Sequence, residues 1–201
     1  MGTVQQQGRG VWDWQLVQVV LSISALYFLQ LFFFGGFDEA TNRQAIRMSA
    51  RISGVLFSLA FMASAFHHFV KNSFSWWLRM NRRYLGISFA IMHLVHLGFL
   101  ILLQLNFHPV FFKAKTISIL GGGLAYFFAV TMLLTSFPFF AKYLSKKKWT
   151  ILHIIGGYWI WYIFIRSYVK RLTTEIEYLP LVILFVAVFL LRFFYYFKKR
   201  V

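Results

Sequence analysis

The sequence predicts an all-α, polytopic membrane protein, a six-transmembrane-helix bundle forming a single domain over residues 1–201. Three observations lead there. The chain is 60% hydrophobic and 21% aromatic but only 13% charged, where a soluble domain carries about 25% charged residues. Long stretches run almost free of charge, each close to the roughly 20 residues that cross a hydrocarbon core. No loop between them is long enough to hold a folded domain, so the chain has no room for a nucleotide or flavin module.

The helices are expected at about 11–34, 52–70, 84–105, 116–140, 149–168 and 178–197. The first opens with Asp13 and is then uncharged to Phe34. The segment before it, MGTVQQQGRG, lacks the pattern of a cleaved signal. Gln6 also breaks the myristoylation pattern. Between the second and third helices, KNSFSWWLRMNRR mixes Trp76 and Trp77 with basic residues, as a segment lying in the headgroup layer does. Pro109 and Pro138 are expected to end the third and fourth helices, and Pro180 fits the first turn of the sixth. The sixth is expected to continue past Arg192, with that arginine snorkelling to the surface. Gly121–Gly123 and Gly156–Gly157 allow either close helix packing or room for a flat cofactor.

A net charge of +16 raises the possibility of a nucleic-acid partner. The basic residues, however, sit in short loops between apolar runs rather than on one soluble face, so no nucleic acid is expected. They sort by side instead. Arg9, the 71–83 loop, the 138–148 loop and the C-terminus carry most of them, while Asp38, Glu39, Glu175 and Glu177 lie on the opposite side. The positive-inside rule then puts both termini in the cytoplasm. With no cysteine, thiolate ligands, thiol catalysis and disulfides are all excluded.

Chemistry concentrates in the histidines. His67, His68, His93, His96 and His153 fall inside expected helices, while His108 sits beside Pro109 in a loop. Ionisable residues within membrane helices usually face the bundle interior and mark function. Interhelical hydrogen bonding is the plainer role for any one of them. No aspartate or glutamate accompanies the five, so a carboxylate-lined ion path is disfavoured. Imidazole among aromatic side chains suits haem iron. His93 and His96 are three residues apart on one helix and share a face, so they cannot be opposite ligands of one haem. A ligand from another helix is needed, with His153 the first candidate and His67 or His68 the alternatives. Depth favours the alternatives: at 1.5 Å per residue, His153 is about 8 Å in from Lys148 and His67 about 6 Å from Lys71, whereas His93 and His96 are roughly 15 and 20 Å from Arg83.

RRYLG at 82–86 with His96 ten positions after Gly86, KKWTILH ending in His153, and RISG at 51–54 form a recognisable set. On these motifs, over roughly residues 51–168, the sequence resembles the ferric reductase-like transmembrane domain family. It is most similar there to the haem-binding membrane subunits of periplasmic methionine sulfoxide reductase systems. The resemblance implies six helices holding haem b, with His96 and His153 as axial ligands and Arg82 near a haem propionate. It implies an electron-transfer component rather than a complete enzyme, fed by a cytoplasmic flavoprotein or quinol donor and serving an acceptor protein across a bacterial inner membrane. Lys146–Lys148 could dock an acidic flavoprotein. One position departs from the family: Arg166 stands where a second fifth-helix histidine is usual. One haem is therefore favoured, and a second would need His67, His68 or His93. The competing expectation is a non-redox membrane protein, a transporter component or structural subunit, whose histidines bond helices together or relay metal ions. A lipid-modifying enzyme with a histidine-rich metal site is disfavoured, since no carboxylates lie in these helices.

Overall fold

The computed structural model describes residues 12–108 and 116–200. The expectations for Arg9 and Pro109 lie outside the described residues. Among those described there is no strand. In chain order the helices are α1 (Asp13–Gly35), α2 (Glu39–Phe69), α3 (Ser73–Met80), α4 (Arg82–Phe107), α5 (Thr116–Leu134), α6 (Pro138–Ala141), α7 (Lys146–Leu172) and α8 (Leu179–Arg200), the last entered through a 3₁₀ turn at Ile176–Tyr178.

Four segments are long and apolar enough to cross a membrane: Asp13–Gly35, Glu39–Phe69, Arg82–Phe107 and Ile176–Lys198. They suggest a membrane protein. The sequence count of six also included α5 and α7. The apolar part of α5 that is described, Leu120–Leu134, is shorter. In α7, lysines open the helix, Lys170 and Arg171 close it, and its middle is rich in Trp, Tyr and Gly.

Several boundaries differ from expectation for local reasons. Helix α2 starts at Glu39 rather than near 52. Asp38 caps it by accepting the Thr41 N–H at 2.7 Å, and Glu39 pairs with Arg43 one turn on. Thr41, Asn42, Ala45, Ile46 and Ser49 then form a buried stripe at helical spacing. Arg43, Arg47 and Arg51, which precede the expected start near 52, are thus helical. The 71–83 loop contains α3, opened by a capping box in which Asn72 and Ser75 satisfy each other's backbone N–H groups. Helix α5 stops at Leu134 rather than near 140. Phe137 is extended (φ −93°, ψ 137°), the conformation a following proline imposes, and Pro138 opens α6 instead of closing α5. Ser145 caps α7, which therefore begins at Lys146. Helix α4 ends on His108 in the left-handed conformation (φ 44°), its N–H returning to Gln104 O at 3.2 Å.

Helix α2 is the hub, packed between α4 and α8, with α5 and α7 forming a pair beside it and α1 lying against α4. The centre is aromatic: Phe57 meets Phe89 at 5.2 Å, Phe164 at 5.9 Å and Phe185 at 6.1 Å between ring centroids. Glycine enables the tightest contacts. A Cβ on Gly156 would lie 2.8 Å from Met132 Sδ and 3.0 Å from Phe128, and one on Gly157 would lie 3.0 Å from Phe61. Helix packing therefore accounts for this pair. Gly54 admits Tyr168, whose hydroxyl donates to Ala50 O at 2.9 Å.

Arg192 overturns its expectation. Its helix does continue past it, but the side chain does not snorkel; it is only 8% exposed. Its guanidinium lies 3.8 Å from the Phe61 ring centroid and donates to Phe61 O at 2.7 Å and to the Tyr196 hydroxyl at 2.9 Å. Aromatic faces and a backbone carbonyl in the α2–α8 seam hold the cation inside the bundle.

Candidate functional site

The five helical histidines fall into three settings. His67 and His68 stand at the C-terminal end of α2. His67 Nδ1 is 3.0 Å from Ser75 Oγ of α3, and His68 is exposed, with its ring 5.1 Å from Tyr195. They tie α2 to its neighbours at the rim and do not meet the other three.

His93 and His96 lie along the α2–α4 seam. The His96 Nδ1–H donates to Ile46 O at 3.1 Å with Ser49 Oγ also at 3.1 Å, an arrangement that leaves Nε2 as the bare nitrogen. His93 is 7% exposed; its Nδ1 is 3.5 Å from Ser53 Oγ and its ring stacks on Tyr126 at 4.5 Å. The two rings are 5.7 Å apart and nearly parallel, as their shared helix face requires. Ser49 and Ser53, one turn apart on α2, are the partners that the histidine count alone did not reveal. Their i, i+4 spacing was the available signal.

His153 occupies the third setting, a cavity of about 530 Å³ between α2, α4, α5 and α7. Its ring stacks on Trp149 at 4.0 Å, and its Nε2 is 3.3 Å from Thr135 Oγ1. Trp149 in turn donates from Nε1 to Thr135 O at 3.1 Å, so the α5 terminus fixes both rings. Arg79, Arg82 and Arg83 line the same cavity, with Phe57, Phe61 and Phe89 as apolar wall. Gly86 borders it with nothing within 4 Å of where a Cβ would stand. Arg82 is anchored by donating Nε to Ala60 O and Nη1 to Ser64 Oγ, both at 3.1 Å.

His153 and Arg82 are thus brought together, whereas His93, His96, His67 and His68 are not among the cavity's lining residues. The reason is axial: fourteen residues of α4 separate Arg82 from His96, about 21 Å of helix. The cavity volume lies within the range of cofactor pockets. Its wall offers one imidazole, two thioethers (Met80 and Met132) and a cationic rim; were a haem bound there, His153 would hold the iron and the arginines would offset its propionates. Among the described residues no group of three or more His, Asp or Glu could hold a bare metal ion.

A second cleft of about 620 Å³ opens between the start of α2 and the α7–α8 connection. Arg51 bridges there to Glu177 at 3.0 Å and Glu175 at 4.0 Å, with Arg171 completing the network at 3.5 Å from Glu175. No known family model, curated protein or solved structure matches this chain.

Proposed function

We propose that the chain is a six-crossing carrier of one haem b, the transmembrane electron-transfer component of an oxidoreductase, in a bacterial inner membrane with both termini cytoplasmic. The observation that carries this reading is the His153 cavity: an oriented imidazole, aromatic and small-residue walls, and three arginines at one rim. Haem held there supplies reversible one-electron chemistry. The chain's own part is to present His153, to neutralise propionates through Arg82, and to keep water from the aromatic wall. A flavoprotein or quinol supplies its electrons, and an acceptor across the membrane receives them.

Purification of the full chain with ample haem supply tests this. The expected result is a Soret band with reducible α and β bands, about one haem per chain, abolished by His153→Ala and retained in His96→Ala. A colourless preparation refutes the reading. Loss in both variants would instead favour the family-like pairing of His96 with His153.

A second reading is supported by the contacts His96–Ser49, His93–Ser53, His67–Ser75 and His153–Thr135. These are interhelical or inter-element bonds that a non-redox transporter or structural subunit would use for cohesion alone. It expects no haem and a loss of stability, not of colour, when the serines are replaced.

A further inference from the structure

The cleft at the start of α2 carries charge of both signs on facing walls. Arg47 and Arg51 of α2 form one wall, Glu175 and Glu177 of the α7–α8 connection form the other, and its apolar residues are Met48 and Ile176. The connection is held in place. The Glu175 N–H donates to Arg171 O at 2.8 Å, Arg171 bridges to the Glu175 carboxylate at 3.5 Å, and Arg51 reaches Glu177 at 3.0 Å. The Arg51 guanidinium also lies 4.6 Å from the ring centroid of buried Tyr178. Arg51 and Arg171 are thereby committed. Arg47 is not: half-buried and one turn before Arg51, about 6 Å along the helix axis, it forms no ion pair or hydrogen bond among the described residues. Glu177 spends Oε2 on Arg51 and is 72% exposed, which leaves Oε1 open to a ligand.

These charges select what fits. A plain anion meets Arg47 but is repelled by two glutamates, and a plain cation meets Glu177 but is repelled by two arginines. A zwitterion with a short spacer between its charges meets both walls. A phosphate accepts hydrogen bonds from a guanidinium, and a primary ammonium donates them to a carboxylate oxygen. The volume of about 620 Å³ is that of a small-ligand site. Its place in the fold narrows the choice. The apolar segment Ile176–Lys198 begins on a residue of the cleft wall, so the cleft stands at the boundary between water and hydrocarbon. Directly along α8 from it, Leu179, Ile183, Val186 and Leu190 face outward at helical spacing, a continuous apolar stripe leading away from the charges.

We infer that this cleft binds an ammonium–phosphate zwitterion, the headgroup of phosphatidylethanolamine, with its phosphate on Arg47, its ammonium on Glu177 and an acyl chain along the outward stripe of α8. Free phosphoethanolamine presents the same headgroup chemistry without the chain. Arg51 and Arg171 do not contact the ligand; they hold the two carboxylates in position. The inference rests on the chain being a membrane protein and is independent of haem.

The test uses the purified full chain in neutral detergent, titrated with the dioleoyl forms of phosphatidylethanolamine, phosphatidylcholine or phosphatidylglycerol and read by native mass spectrometry. Phosphatidylcholine keeps both charges but its nitrogen has no N–H, and phosphatidylglycerol has no ammonium. Wild type, Arg47→Gln and Glu177→Gln are compared, with Arg43→Gln, which does not line the cleft, as the control. Wild type and the control are expected to prefer phosphatidylethanolamine over either other lipid by about fivefold, the scale of one charge pair open to water. Arg47→Gln loses that preference. Glu177→Gln loses it too, and binds phosphatidylglycerol better than wild type does, because the repelling carboxylate is gone while Arg47 remains. A merely loosened fold does not produce that gain. Displacement of the bound lipid by excess phosphoethanolamine supports the site with the headgroup as sufficient ligand; lipid that stays bound supports it with the acyl chain as part of the contact. Equal retention of the three lipids by wild type overturns the inference, as does a phosphatidylethanolamine preference unchanged in both Arg47→Gln and Glu177→Gln.

Discussion

Replacing Gly54 with alanine puts the packing of α2 against α7 to a direct test. A Cβ there would stand 3.1 Å from Tyr168 Cζ and 3.4 Å from Cε2, and would collide outright with the hydroxyl. Tyr168 has little freedom to yield. It is 2% exposed, its hydroxyl donates to Ala50 O at 2.9 Å, and its ring is fenced by Phe164 at 5.6 Å and Phe185 at 5.3 Å. Swinging the ring aside loses that hydrogen bond, about 1 kcal/mol, and overpacks the seam by about 1–3 kcal/mol. Alanine recovers about 1 kcal/mol through its better helix propensity. The net destabilisation is then about 1–3 kcal/mol. Unfolding in mixed micelles titrated with dodecyl sulfate, followed by far-ultraviolet circular dichroism, reads it. Gly98→Ala, where nothing lies within 4 Å of the new methyl, is the matched control and should be neutral or slightly stabilising. Adding Tyr168→Phe to Gly54→Ala removes the clashing oxygen and should restore part of the loss. A Gly54→Ala protein as stable as wild type, or no rescue by Tyr168→Phe, would refute the assigned contact.

Other consequences are equally accessible. The Thr41 backbone N–H, with the Thr41 hydroxyl second, holds the Asp38 carboxyl below the usual carboxylate range. Its stabilisation is therefore fully present above the unfolded carboxylate pKa and fades as pH falls through the depressed folded value. The melting temperature of Asp38→Ala should lie below wild type at neutral pH, and the gap should narrow in acid; a gap independent of pH would contradict the cap. Glu177→Gln removes the 3.0 Å contact to Arg51, yet Glu177 is 72% exposed, so the loss should stay below about 1 kcal/mol and shrink further in roughly 0.5 M salt. An undiminished loss in salt would mean that Glu177 acts by something other than charge.

Charge-free runs announced helices correctly, because burial in lipid or in neighbouring helices leaves the same apolar signature. That signature is also why the first turns of α2 were missed. Residues 39–51 are polar, and their helical signals were the Asp38 cap, the Glu39–Arg43 spacing and the buried stripe through Ala45 and Ile46. Hydropathy hides all three. His96 and His153 each stood out as histidines in apolar surroundings, but whether they meet depends on axial register between α4 and α7, which no local pattern encodes. The depth estimate from flanking basic residues put His153 and His96 at different levels, and His96 is not among the residues that line the cavity around His153. It did not foresee that Ser75 of α3 would take His67 out of reach. Arg192 was legible as a cation in an apolar helix; its burial was not, since that depends on Phe61 and Tyr196 arriving from elsewhere in sequence or from its own next turn.

The 31 residues of α2 make a rod about 46 Å long. A hydrocarbon slab is about 30 Å thick, and a tilt at the upper end of what membrane helices adopt, about 40°, shortens the rod's projection only to roughly 35 Å. At least a turn of α2 must therefore stand clear of the slab, and its polar start at Glu39–Arg43 is the part suited to water. Because the chain has no cysteine, one thiol placed at the exposed Gln44 would act as a flag on that mast. Reaction with a membrane-impermeant maleimide from one face of sealed vesicles would reveal which way the whole molecule faces.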